Sequence, residues 1–264
     1  MAQSVNPSLV TQDLTFCADP APKLRRPASI KDVADQIAAL NSKDYTTYSS
    51  GGKTHYVWTF LSTETFNTSR WSLLVDAFVV GGGGAGMAAG YTAHNGGGGA
   101  GGVAYAKGFL LPAGIHTFTV GGGGGEGQKG GDSSIITNQY GGDTLVGNGG
   151  GCTGIHGGGG TNDWGGSGGG GYVYSDGGDE TQSSENSVLT SGFVTNFGND
   201  GGRHTGTTAG QYGAAGGGGA GAAGHDGTNV VVSDNGDGGV GIQEGVDFYI
   251  NGTSNWYAGG GGGR

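Results

Sequence analysis

The sequence predicts a mainly β and irregular protein: a small β core followed by a packed bundle of polyglycine-II helices, with a short N-terminal α-helix. Three observations predict it. Glycine supplies 68 of 264 residues, gathered in runs at 81–84, 96–99, 121–125, 149–151, 157–160, 168–171, 216–219 and 259–263. Hydrophobic residues still make up 33% of the chain, with 4 Trp, 11 Tyr and 9 Phe. Aromatic and β-branched stretches stand directly before several of the runs, as in "WSLLVDAFVVGGGG" (71–84). Collagen would need glycine at every third position and abundant proline, but the runs are contiguous and proline numbers 5. A disordered chain would be poor in apolar and aromatic residues.

The polyglycine expectation rests on backbone accounting. Glycine loses more conformational freedom on ordering than any other residue, so an ordered run must recover that loss through contacts. An extended threefold helix rises about 3.1 Å per residue and makes no internal hydrogen bonds. Its N–H and C=O groups point outward on three sides, and buried backbone groups need partners. Packed side by side without Cβ atoms, such helices can satisfy one another, helped by weak Cα–H···O contacts. The expectation is an array with no side-chain core, in which any added Cβ clashes and the connecting loops carry the chemical variety.

The N-terminal residues 1–44 contain no glycine and read as an attachment arm. Within it a helix is predicted over about 29–42: Ser29 can cap it, Asp32 occupies the capping-box position, and Ile30, Val33, Ile37 and Leu40 share one face. The stretch before it is punctuated by proline and has no apolar run of a secretory signal. Residues 45–264 form the second unit. Within it, 53–67, 71–80, and 109–120 with its Pro-Ala-Gly turn read as strands, as does 246–257 around Asn251-Gly252.

Several chemistries are argued against. Gly81, Gly83 and Gly86 match Gly-x-Gly-x-x-Gly, but no amphipathic helix follows and no acidic residue stands about 20 positions on. A net charge of −10 speaks against nucleic acid, which needs clustered Lys and Arg. No stretch approaches 18 consecutive apolar residues, so no membrane insertion is expected. The six His are scattered, and "DNGDGG" around Asp234 and Asp237 reads as a solvated turn, so no metal or cofactor is assigned. Cys17 and Cys152 are read as separate thiols. Asp176, Asp179, Glu180 and Glu185 lie on a polar stretch without apolar walls, and no catalytic residue is assigned.

The ordered motifs "YTTYSSGGKTHYVWTFLSTETFN", "WSLLVDAFVVGGGGAG", "NGGGGAGGVAYAKGFLLPAGIHTFTVGGGGG" and "GGVGIQEGVDFYINGTSNWYAGGGGG" resemble the glycine-rich domain of phage tail-fibre and other virion proteins, from about Tyr45 to Arg264. The resemblance extends to the polyglycine-II adhesin tips of T-even-like phage long tail fibres. It implies a "Pro-Ala-Gly" hairpin and location on the virion surface. It further implies loops at one end of the bundle that contact the host. Expected partners are other virion proteins through the arm, a host surface glycan or outer-membrane protein through the loops, and a possible second copy of the chain. Relatives usually continue past the last glycine block into a terminal strand, whereas this chain stops at 259–264; truncation, processing or completion by another subunit would each account for that.

Aromatic rings beside short polar residues suit recognition, because rings supply contact area at small entropic cost. The receptor-binding candidates are Tyr91, His94 and Asn95; Asn162, Asp163 and Trp164; Tyr172, Tyr174 and Asp176; and His204 and Tyr212. The bland alternative is that each ring caps the array or packs on the β core. Two other functions share the composition: a capsid decoration or head-fibre protein without a ligand, and a non-viral glycine-rich surface protein. The last predicts a regular Gly-x-x period that the sequence lacks.

Overall fold

The computed structural model describes residues 29–87, 95–137, 143–153, 164–172, 175–186, 193–205, 213–227, 236–245 and 254–263. Its regular structure is mainly β, in several small sheets, with one short helix.

Helix α1 (Ile30–Asn41) starts at the predicted capping box. Ser29 Oγ accepts from the Asp32 N–H at 3.1 Å and Asp32 Oδ2 accepts from the Ser29 N–H at 3.0 Å. Val33, Ala34 and Ile37 are buried, while Leu40, predicted on the same face, is 49% exposed. Ser42 ends the helix at a left-handed φ of 49°. The helix packs into the β core through Val33 and Ile37. Asn41 clamps it there, donating to the Asn67 carbonyl and accepting from the Asn67 N–H.

Strands β1 (Thr46–Ser50) and β2 (Lys53–Val57) form a hairpin. Its turn glycines, Gly51 and Gly52, sit at φ 58° and 75°. Positive φ at both central residues is what a tight hairpin turn requires. β2 and β3 (Glu64–Asn67) divide the single strand predicted over 53–67. A four-stranded antiparallel sheet has the order β3, β6 (Ile115–Thr119), β7 (Ser133–Ile136), β8 (Thr144–Gly147). A three-stranded antiparallel sheet has the order β4 (Leu73–Val80), β5 (Val103–Leu111), β9 (Phe193–Phe197). β10 (Ile242–Gln243) and β11 (Trp256–Tyr257) pair separately. Asn251 and Gly252, the predicted turn there, lie outside the described residues.

The Pro-Ala-Gly motif does not make the expected hairpin. β5 and β6 on its two sides belong to different sheets, so residues 112–114 form a corner. Thr68 holds it: its Oγ1 donates to the Pro112 carbonyl at 2.9 Å, and its N–H donates to the Gly114 carbonyl at 2.7 Å. Burial decides this outcome, because Phe109 and Leu111 on one side and Phe118 on the other all point into a single core. That core also holds Phe66, Leu145 and Ile135, with Phe60 stacked on Phe118 at 4.2 Å between centroids. Each such side chain contributes about 1.5–3 kcal/mol when fully buried.

The glycine runs adopt extended segments that bond to several neighbours. The Gly97 and Ala100 N–H groups donate to Ala215 and Gly218, three residues apart in both segments. The same step recurs from Gly82 and Ala85 to Gly131 and Gln128, from Gly168 and Gly171 to Asn199 and Gly202, and from Gly217 and Ala220 to Gly261 and Ala258. A β ladder returns to the same neighbour every second residue. Here the intervening residues turn to other segments. Segment 213–220 exchanges backbone bonds with six others: 95–102, 165–172, 198–205, 221–227, 236–241 and 258–263.

Glycine is required in this region for closeness. Among the described residues, Gly81–Gly84 and the other run glycines are absent from the positions of left-handed φ. A Cβ at Gly97 would overlap the Gly261 carbonyl, at Gly101 that of Gly81, and at Gly168 that of Gly178. The expectation of an array without side chains is nonetheless too strict. Ala100, Cys152, Thr153, Ala214, Ala215 and Ala220 are buried within these segments. Ala220 shows why this is possible: it packs with Val103, Tyr105 and Ile242 where the array meets the sheets.

Candidate functional site

The array has two ends. At one, Gly81 and Gly102 continue β4 and β5, and Gly147 and Asn148 leave β8. At the other, a layer of backbone bonds joins Gly97 to Ala215, Gly170 to Gly97, Gly202 to Gly216, Gly216 to His225, Gly236 to Ala214 and Gly263 to Gly236. The residues that flank 88–94, 173–174, 206–212 and 228–235 stand on both sides at this second end, away from the sheets.

Of the five recognition candidates among the described residues, Asn95, Tyr172, Asp176 and His204 lie at that end. Asn95 bridges the flanks of 88–94, with its Nδ2 donating to the Met87 carbonyl at 3.1 Å. Tyr91 and His94 lie outside the described residues. The Tyr172 N–H donates to Ser175 Oγ at 2.8 Å and the Ser175 N–H to the Tyr172 carbonyl at 2.7 Å, tying the flanks of 173–174. Tyr172 is itself buried, so its ring packs into the end of the array and is not offered as a platform. Asp176 is exposed beside it, and Tyr174 lies outside the described residues.

His204 is half-buried and forms a bridge with Gly227. Around it the Thr205 hydroxyl donates to the Gly227 carbonyl at 3.0 Å, and the Arg203 N–H donates to Asp226 Oδ1 at 2.7 Å. Tyr212 lies outside the described residues.

Trp164 is the exception. It precedes Gly165, whose N–H donates to Asp179 and whose carbonyl accepts from Thr181, at the end of the array nearer the sheets. Trp164 is 47% exposed there, apart from the other described candidates. Segment 165–172 runs parallel to 147–153, so a residue preceding it falls at the opposite end from Tyr172. Asn162 and Asp163 lie outside the described residues.

The polar residues Arg203, Thr205, His225 and Asp226, all exposed near the second end, are not among the predicted recognition residues. For Arg203 and Asp226 a signal lies in their threefold spacing from the exposed Asp200 and Ala223. Two acidic residues of the array, Glu180 and Asp200, have local work. Glu180 Oε2 accepts from the Ser183 N–H at 2.8 Å, and Asp200 Oδ1 accepts from the Glu180 N–H at 2.8 Å. No group of three or more His, Cys, Asp or Glu among the described residues could hold a metal ion.

No curated protein and no solved structure matches the chain. The model of a glycine-rich domain matches residues 59–264, which takes in the strands from β3 onward and every glycine segment. On that match the chain belongs to the glycine-rich domain family.

Proposed function

We propose that this chain is a virion structural protein: a phage tail-fibre, receptor-binding subunit whose scaffold is a bundle of polyglycine-II helices. The scaffold reading is supported by the threefold return of backbone hydrogen bonds and by segment 213–220 having neighbours on six sides. The observation that carries the recognition reading is the shared end: the flanks of 88–94, 173–174, 206–212 and 228–235 all stand opposite the sheets and helix. Stretches that start and finish on a backbone-bonded layer can vary in sequence without disturbing it. Tyr91, His94, Asn95, Tyr174, Asp176, His204 and Tyr212 are the contact set, suited to a surface glycan or an outer-membrane protein. Helix α1 and the residues before it make the joint to other virion proteins.

Labelled protein should adsorb to host cells among a panel of bacterial strains and compete with infecting particles. Tyr91→Ala with Tyr212→Ala should abolish adsorption while leaving thermal unfolding unchanged. A protein that coats the particle head and blocks no adsorption would be a decoration subunit instead.

A further inference from the structure

The outer surface of the glycine array differs from side to side. Along 175–181, 198–205, 221–227 and 236–241, exposed positions three apart carry side chains: Asp176 and Asp179, Asp200 and Arg203, Ala223 and Asp226, Asp237 and Val240. Along 81–87, 121–125 and 258–263, the exposed positions three apart are Gly83 and Gly86, Gly122 and Gly125, Gly259 and Gly262. None of these six glycines is at left-handed φ. Nor does the chain's own packing exclude a side chain there. A Cβ at Gly122 or Gly125 meets nothing within 4 Å, and at Gly83, Gly259 and Gly262 the nearest atom is 3.9 Å away or more. Glycine at such sites loses backbone freedom on folding that alanine would not, with no compensation inside the molecule.

The same face has unused backbone groups. The N–H groups of Gly83, Gly86, Gly98, Gly259 and Gly262 donate to no backbone acceptor among the described residues, and the Gly96 and Gly262 carbonyls accept from none. A groove of about 400 Å³ runs between 81–87 and 258–263, with Gly96, Gly97 and Gly98 on its floor and Met87 and Asn95 also in its lining. Segment 95–102 bonds to five neighbours, 81–87, 147–153, 165–172, 213–220 and 258–263. The groove lies where a sixth would sit.

We propose that this groove and the surrounding glycine face receive an outer glycine segment of a second copy of the chain, so that backbone pairing continues from one copy into the next. The occupant must be extended and bare of side chains on the side that docks, and the outer positions of 121–125 and 258–263 meet that requirement. Charge favours the same pairing. The chain carries −10, and Asp176, Asp179, Asp200, Asp226 and Asp237 project from the other sides, where two copies repel. The six outer glycines carry no charge. The inference rests on the threefold scaffold, and a face-specific test separates the two.

The test is sedimentation velocity on the full chain over a concentration series, beside thermal unfolding. The unmodified chain should self-associate. Gly83→Val with Gly259→Val should weaken association by about tenfold or more without lowering the unfolding temperature, because both positions have room. Asp237→Asn, on a charged side, should leave association at least as strong. A chain that stays monomeric throughout, or one that associates equally well with both valines, overturns the proposal. If the double variant unfolds early, Gly122→Val with Gly125→Val, where nothing lies within 4 Å, decides the matter by the same readout. An array that fails as a scaffold would appear as early unfolding of the unmodified chain, which is a different result.

Discussion

In the β core, space between backbones is filled by Phe66, Phe109, Phe118 and Leu145. In the glycine array, the space around segment 213–220 is filled by six other backbones. The two regions therefore fail in opposite ways. Removing atoms from the core leaves a cavity lined by apolar groups that have lost contacts. Adding atoms to the array drives a Cβ into a carbonyl fixed by its own hydrogen bonds. The core also tolerates hydrophobic exchange at constant volume, whereas the array has no smaller residue to turn to and little room for a larger one.

The sharpest way to break this contrast is a reciprocal pair of substitutions followed by thermal or denaturant unfolding. Gly97→Val, beside Gly261 and Gly217, should cost more than the about 1–3 kcal/mol typical of overpacking, because backbone must move. Phe109→Ala, at a fully buried site, should cost about 3–5 kcal/mol. A harmless Gly97→Val would mean that the segments are not packed as described.

A pH titration reaches a buried group beside the core and sharpens the contrast further. Burial holds the His116 imidazole below its ordinary pKa, opposed in part by its bond to the Pro112 carbonyl. The His116 Nδ1 has no partner among the described residues, so a second proton there would be buried and unpaired. Below the ordinary value of about 6.5 the unfolded chain takes up the proton first. Stability from this group is therefore full above that pH, falls as the pH drops toward the lowered folded value, and then levels off. Amide protection factors at β6 and the 112–114 corner, which remove the intrinsic pH dependence of exchange, should fall over that window, and His116→Gln should remove the dependence.

The smallest expected effect tests whether all glycines serve the array alike. Gly83→Ala, with nothing nearer than 3.9 Å, should raise the stability of the isolated chain by about 0.4–1 kcal/mol through reduced freedom when unfolded. Unfolding measured at low protein concentration checks the sign.

Much of this was legible because its cause is local. Ser29 and Asp32 lie three residues apart, and that spacing alone makes the cap. The stretches 71–80 and 109–120 announce strands through their own β-branched and aromatic residues. Glycine in unbroken runs signals backbones packed closely together. The 112–114 corner was not legible as a corner, because a tight turn looks the same whether its strands pair or part. Trp164 was grouped with the recognition residues by its polar neighbours, but the parallel course of 147–153 and 165–172 puts it at the other end.

The sequence by itself thus determined the composition of each region, the capped helix and the need for glycine segments to find backbone partners. Only the tertiary structure decided which segments became neighbours, in which direction they ran, and which glycines faced outward. The reason is that glycine has no side chain to encode a preferred partner. Identical runs can satisfy one another in many arrangements, and the choice among them comes from the sheets and turns to which their ends are tied.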